Sequence, residues 1–105
     1  MALTIILENE RGDRRAVTFD DQGLLVPLIL KTARKDSACI RLLDFVDPYG
    51  DTVFNALQMR QLNIELNELL PFAETSEVQD LLSSIQTLVR QGQEGVHLYL
   101  KLIGD

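Results

Sequence analysis

The sequence predicts an α+β fold, in which a mostly antiparallel sheet carries a C-terminal helical hairpin on one face and ends with a final strand. Three observations predict it: apolar residues alternate near the start, recur at three-and-four spacing in the second half, and alternate again at the end. At 105 residues, of which 46% are hydrophobic, the chain is long enough to bury one core. We therefore expect a single domain over residues 1–105.

The N-terminal third predicts a β-hairpin followed by a helix. "ALTIILENERGDRRAVTFD" alternates on both sides of a Gly-containing turn at Glu10 to Asp13, with Val17 and Phe19 continuing the period. "LLVPLIL" fits either a buried strand or a short helix. We favour a helix that starts near Pro27 and ends in the basic "KTARK", because bases suit a helix C-terminus.

The middle of the chain predicts a second hairpin. "ACIRLLDFV" is apolar enough for a strand buried on both faces, and "DPYG" has Pro and Gly at the second and fourth positions of a type I turn. "DTVF" would then return as the partner strand.

Two helices and a strand are expected after this hairpin. Asn55 is a favoured N-cap, Gln58 completes a capping box, and Phe54 can pack on Met59 as a hydrophobic staple. The first helix should stop at Pro71. Its apolar stripe comprises Ala56, Met59, Leu62, Leu66, Leu69 and Leu70.

The second helix is predicted to start with a capping box of Ser76 and Gln79 and to end before Gly92. Its apolar stripe comprises Val78, Leu81, Leu82, Ile85, Leu88 and Val89. The closing "VHLYLKLIGD" predicts a strand with Val96, Leu98, Leu100 and Leu102 on one face and His97, Tyr99 and Lys101 on the other.

Charge and composition narrow the function classes. The net charge is −6, and between residues 61 and 94 a single base, Arg90, faces six acids. This segment would repel phosphate backbones and anionic lipid, so we expect neither nucleic-acid nor membrane binding. The acidic excess serves either solubility or attraction to a basic partner. The lone Cys39 cannot form an internal disulfide, and no apolar leader precedes the fold, so we expect a cytoplasmic protein.

The turn "DPYGDTVFN" is the strongest candidate for a polar site. When the residues with a conformational role are set aside, two acids and a Tyr remain in the turn, Asp44 lies shortly before it, and His97 is the only imidazole in the chain. The candidate binding residues are Asp44, Asp47, Tyr49, Asp51, His97 and Tyr99. A turn with solvated acids explains the same residues. The carboxylate spacing fits no EF-hand loop, and we expect no metal site, no cofactor and no assignable catalytic residue.

Leu57 and Ile64 are candidates for an interface. They lie almost opposite the apolar stripe of the first helix, so they face away from the sheet if the stripe faces it. Either "LLVPLIL" covers them within the chain, or they belong to a homodimer or another protein interface.

"DPYGDTVFN" with Gln58, together with the terminal "HLYLKLIGD", resembles stretches shared by a group of small uncharacterised bacterial proteins of about this length. The resemblance implies a bacterial cytosolic protein and transfers no activity. Two hypotheses follow: an acidic, non-enzymatic protein-interaction module of inhibitor or immunity type, or a small-molecule- or metal-binding enzyme with a site near Asp44, Asp47, Asp51 and His97.

Overall fold

Four strands form one antiparallel sheet in the computed structural model, which describes residues 2–104. The strands are β1 (Leu3–Asn9), β2 (Arg14–Asp20), β3 (Asp51–Phe54) and β4 (Leu98–Gly104), in the spatial order β2-β1-β4-β3. Together with the helices on one face, this sheet confirms the predicted α+β fold.

Three helices, α1 (Leu25–Lys35), α2 (Met59–Leu69) and α3 (Ser76–Glu94), pack on that face. The predicted helix over "LLVPLIL" and "KTARK" is confirmed as α1, although it begins two residues before Pro27. Its start is held by the buried Asp20, whose carboxylate accepts the backbone N–H groups of Leu24 at 2.8 Å and Leu25 at 2.9 Å. An acid four or five residues upstream thus supplies the acceptors that a helix N-terminus needs.

The core lies between the helices and the inner face of the sheet. β1 contributes Leu3, Ile5 and Leu7, and directly opposite them on β4 stand Leu102 and Leu100. The buried residues of all three helices join the same cluster. Ile6 does not belong to it, because successive strand residues point to opposite faces and Ile6 lies on the outer one.

The predicted strand over "ACIRLLDFV" is wrong. This segment forms two 3₁₀ turns, Ser37–Cys39 and Leu42–Phe45, and β3 pairs with β4 instead of with it. The physical reason is Glu65 of α2, which is fully buried. Its carboxylate accepts the backbone N–H groups of Arg41 at 2.8 Å, Leu42 at 3.1 Å and Leu43 at 3.1 Å, so these donors do not enter a sheet.

The capping box of Asn55 and Gln58 is confirmed, and it opens a 3₁₀ turn that leads into α2. The next cap is Thr75, one residue before the predicted Ser76; its hydroxyl accepts the Val78 N–H. α3 also continues past Gly92 to Glu94. Gly92 lies inside the helix, and glycine suits this position because a Cβ there would stand 2.9 Å from the Met59 methyl group.

β4 begins at Leu98, so the predicted strand is two residues too long at its start. Val96 is exposed instead of buried, and His97 has a backbone φ of +55°, which no strand residue adopts. No helix within residues 2–104 has the length and apolar character needed to cross a membrane.

Candidate functional site

The turn at Asp47 to Gly50 stands where the sequence predicts it, and its acids have conformational partners. The Asp47 carboxylate accepts the Tyr49 N–H at 2.9 Å, and the Asp47 N–H donates to the Thr52 hydroxyl at 2.9 Å. Asp51 opens β3 and faces Lys101 across the strand pair, with 3.8 Å between the ammonium and the carboxylate. The side chain of Tyr49 is exposed and has no role in the turn.

This turn lies at the C-terminal end of β4. The Gly104 N–H donates to the Gly50 carbonyl at 2.8 Å, so the last strand residue contacts the turn directly. Asp51 is correspondingly the register partner of Ile103.

His97 lies at the other end of the same strand. Seven residues separate it from Gly104, a span of about 23 Å at roughly 3.3 Å per strand residue. His97 lines a depression of about 230 Å³. The other lining residues belong to the β3–α2 connection and to β4; they are Asn55, Ala56, Leu57, Leu98 and Tyr99.

The predicted polar residues therefore form two groups. Asp47, Tyr49 and Asp51 lie at one end of β4, and His97 with Tyr99 lies at the other. Asp44 is exposed on the 3₁₀ turn Leu42–Phe45. Among residues 2–104, no three His, Cys, Asp or Glu side chains are grouped as metal ligands would be. An imidazole so far from the acids cannot share a proton-transfer step with them.

Cys39 is the one thiol, and its surroundings keep it protonated. Its Sγ donates to Asp36 Oδ2 at 3.1 Å and to Glu68 Oε2 at 3.6 Å. The hydrogen bond that the thiol donates to Asp36, partial burial and the charges of both acids raise the pKa of the Cys39 thiol to about 11. Since the thiolate is the nucleophile, this is a poor setting for cysteine catalysis.

Leu57 is almost fully exposed and Ile64 is half-exposed, so the expected burial of both under "LLVPLIL" is wrong. Leu57 is 91% exposed and Ile64 is 47% exposed. The apolar residues of α1 pack into the core instead, where Leu25, Leu28 and Ile29 are buried.

A second depression, of about 320 Å³, adjoins Ile64. Its lining includes Cys39, Glu68 and one base, Arg41, together with Ala38 and Gln61. Asp36 and Glu68 converge there on the thiol, and within residues 2–104 neither has a basic partner. We call Leu57, Ile64 and this carboxylate pair the α2 surface.

A cleft of about 270 Å³ between β2 and α3 collects part of the acidic excess seen in the sequence. Its carboxylates are those of Asp21, Glu77, Asp80 and the helix-capping Asp20. Glu77 lies in the first turn of α3, where a negative charge favours the helix.

β2 presents two apolar residues to the side away from the helices. The β2 residues opposite the core positions Leu7, Ile5 and Leu3 are Ala16, Thr18 and Asp20. Val17 and Phe19 alternate with these residues and therefore face away from the helices.

No protein-family model, curated protein or solved structure matches the chain.

Proposed function

We propose that the chain is a non-enzymatic protein-interaction module of inhibitor or immunity type, which binds a basic partner in the bacterial cytosol. The observation that carries the proposal is the α2 surface: Leu57 is exposed and Ile64 is half-exposed, and beside Ile64 lie two carboxylates that have no basic partner within residues 2–104.

The apolar part of this surface supplies the driving force for binding. Burying a Leu or Ile side chain is worth roughly 1.5–3 kcal/mol relative to leaving it exposed. Ile64 lies on α2, and Leu57 lies seven positions earlier on the 3₁₀ turn that leads into this helix, so a partner lying along α2 would contact both.

The charged part of the surface supplies the preference for a basic partner. The carboxylates of Asp36 and Glu68 lie within hydrogen-bonding distance of the same thiol, which concentrates negative charge beside Ile64. A Lys or Arg of the partner would offset this charge and the net charge of −6, and would speed encounter.

The distribution of the polar residues favours this proposal over the enzyme hypothesis. An enzyme using Asp44, Asp47, Asp51 and His97 would need them around one cavity, whereas His97 lines a depression that none of these acids lines. The turn acids are explained by backbone hydrogen bonds and by Lys101.

A pull-down from bacterial extract tests the proposal with matched variants. The test variant is Leu57→Glu with Ile64→Glu, and the control is Leu30→Glu, since Leu30 is a similarly exposed leucine on α1. Wild type and control should retain the same protein, and the test variant should lose it. Circular dichroism establishes that all three are folded.

The charge requirement is tested on the protein so retained. Asp36→Asn with Glu68→Gln should weaken its binding about tenfold and reduce the salt dependence of the affinity. The proposal would be contradicted if the Leu57→Glu, Ile64→Glu variant retained the partner protein as well as the wild type does. It would also be contradicted if the affinity for that protein depended neither on salt concentration nor on the two carboxylates.

A further inference from the structure

Within residues 2–104 no helix packs on the outer face of the sheet, and each of the four strands places at least one apolar residue on it. Reading across β2-β1-β4-β3, one row of register partners is Val17, Ile6, Lys101 and Val53, and the next is Phe19, Thr4, Ile103 and Asp51. Phe19 is 57% exposed and Val53 is 54% exposed, whereas Ile6 between them is only 4% exposed. We call these two rows the open face.

We propose that the open face binds a second copy of this chain, so that two sheets pack face to face as an eight-stranded sandwich. This surface is separate from the α2 surface, and the inference does not depend on the proposed function. Exposed aromatic and β-branched residues that share one face of a sheet are what the inner face of a sandwich requires.

Charge identifies the second copy as the occupant. Two copies that each carry a net charge of −6 repel one another, so they can approach closely only where acids are offset by bases. On the outer face each acid has a base beside it: Asp51 is 3.8 Å from Lys101, and Glu8 opposes Arg14 at the bulge between β1 and β2. The helical side instead concentrates acids at the β2–α3 cleft, whose described lining has four carboxylates and no base.

The position of Lys101 also selects the symmetry. A two-fold axis that runs across the strands, through the row of Val17, Ile6, Lys101 and Val53, would place Lys101 over its own copy, which is unfavourable because the charges are alike. An axis parallel to the strands places β4 over β1 of the second copy. Lys101 then faces Ile6 of that copy. Glu8 of that copy lies two residues further along the strand, which a lysine side chain can reach, and symmetry repeats this Lys101–Glu8 pair.

The size of the face predicts a weak dimer. Three strands of seven residues and one of four, about 4.8 Å apart and with about 3.3 Å per residue, give a projected area on the order of 400 Å² per copy. Two copies then bury on the order of 800 Å², which is below the range of stable interfaces and in that of weak, transient ones, so we expect a dissociation constant on the order of 100 µM.

Disulfide trapping tests the arrangement directly. In the proposed dimer Val17 of one copy faces Val53 of the other, while within one copy they are three strand spacings, about 14 Å, apart, too far for a disulfide. In a Cys39→Ser background, a mixture of the Val17→Cys and Val53→Cys variants should form a covalent dimer under mild oxidation. Each variant alone should form at least tenfold less covalent dimer. A mixture of the Val17→Cys and Leu30→Cys variants is the control and should also form at least tenfold less covalent dimer.

Sedimentation equilibrium supplies the second measurement. The wild-type chain should dimerise reversibly, and Val53→Glu should weaken dimerisation at least tenfold while circular dichroism remains unchanged. A wild type that stays monomeric at about 0.5 mM overturns the proposal. Two disulfide-trapping results would also overturn the proposal. One is that Leu30→Cys gives as much covalent dimer with Val17→Cys as Val53→Cys does; the other is that Val17→Cys alone gives as much covalent dimer as its mixture with Val53→Cys.

Discussion

Replacing Glu65 by Gln should destabilise the protein more than any other single isosteric change on α2. The wild-type carboxylate holds four donors: Oε1 accepts the Arg41 and Leu43 N–H groups, and Oε2 accepts the Leu42 N–H and the Gln61 amide. A glutamine retains only one of the two oxygens as an acceptor. If its oxygen replaces Oε1, its NH₂ group points at the Leu42 N–H, which loses its partner.

The magnitude follows from burial. Glu65 is 0% exposed, so water does not replace the lost acceptor at the side chain. An unsatisfied buried donor costs about 1–3 kcal/mol, and the remaining hydrogen bonds weaken when the charge is removed. We expect a loss of about 2–4 kcal/mol in the free energy of unfolding, a large part of the 5–15 kcal/mol typical of a domain.

Urea denaturation followed by circular dichroism measures this loss, and Glu68→Gln is the control. Glu68 lies on the same helix but is exposed, so its change should stay within about 0.5 kcal/mol. Hydrogen exchange should show faster exchange of the Arg41, Leu42 and Leu43 amides in Glu65→Gln. If that variant lost less than about 0.5 kcal/mol, or kept the protection of these amides, Glu65 would not be what holds the segment in its turns.

Three further predictions concern single residues. Asn55→Ala removes the acceptor of the Gln58 N–H, 3.1 Å away, and should cost about 1 kcal/mol in a denaturant melt, whereas Asn55→Asp should cost much less. Cys39, with a pKa of about 11 against an ordinary 9.0, should react with a thiol reagent roughly tenfold more slowly than a free cysteine below pH 9, because the loss of thiolate outweighs its higher nucleophilicity, and Asp36→Asn should accelerate the reaction; an ordinary rate in the wild type would contradict the hydrogen-bonded thiol. His97→Gly should raise the free energy of unfolding by up to about 1 kcal/mol, because glycine adopts a φ of +55° without steric cost; a loss would mean that the imidazole makes a stabilising contact.

Local patterns predicted the parts of the fold that are determined locally. The β1–β2 hairpin, the Asn55 capping box and the apolar stripes of α2 and α3 depend on residues within a few positions of one another. The "ACIRLLDFV" segment does not, because its conformation depends on a carboxylate more than twenty positions away. The sequence did contain one sign of this interaction. Glu65 lies three residues after Leu62 and next to Leu66, so it is an acid on the apolar stripe of the helix.

Local patterns were equally unable to predict where β4 begins and which candidate site residues lie together. Alternation correctly placed Tyr99 and Lys101 on one face of β4, but it extended that strand back through His97 and Val96. Whether His97 meets the turn acids depends on the distance along β4 and on which strand pairs with which. Pairing of β3 with β4 puts Asp51 beside Ile103, at the far end from His97, and no periodicity in the sequence contains that information.

The two proposed surfaces are geometrically compatible. α2 packs on the inner face of the sheet, so Ile64, which points away from the core, lies on the side opposite Val17 and Val53. Two copies joined through their open faces would therefore leave both α2 surfaces exposed. They would point in opposite directions and would be suited to two partner molecules or to a partner that is itself two-fold symmetric. A two-fold symmetric partner would contact both α2 surfaces of one dimer at once, and its affinity would rise because the second contact forms within the same complex. A dimer that is weak by itself would therefore strengthen partner binding, although each α2 surface makes the same contacts as in a monomer.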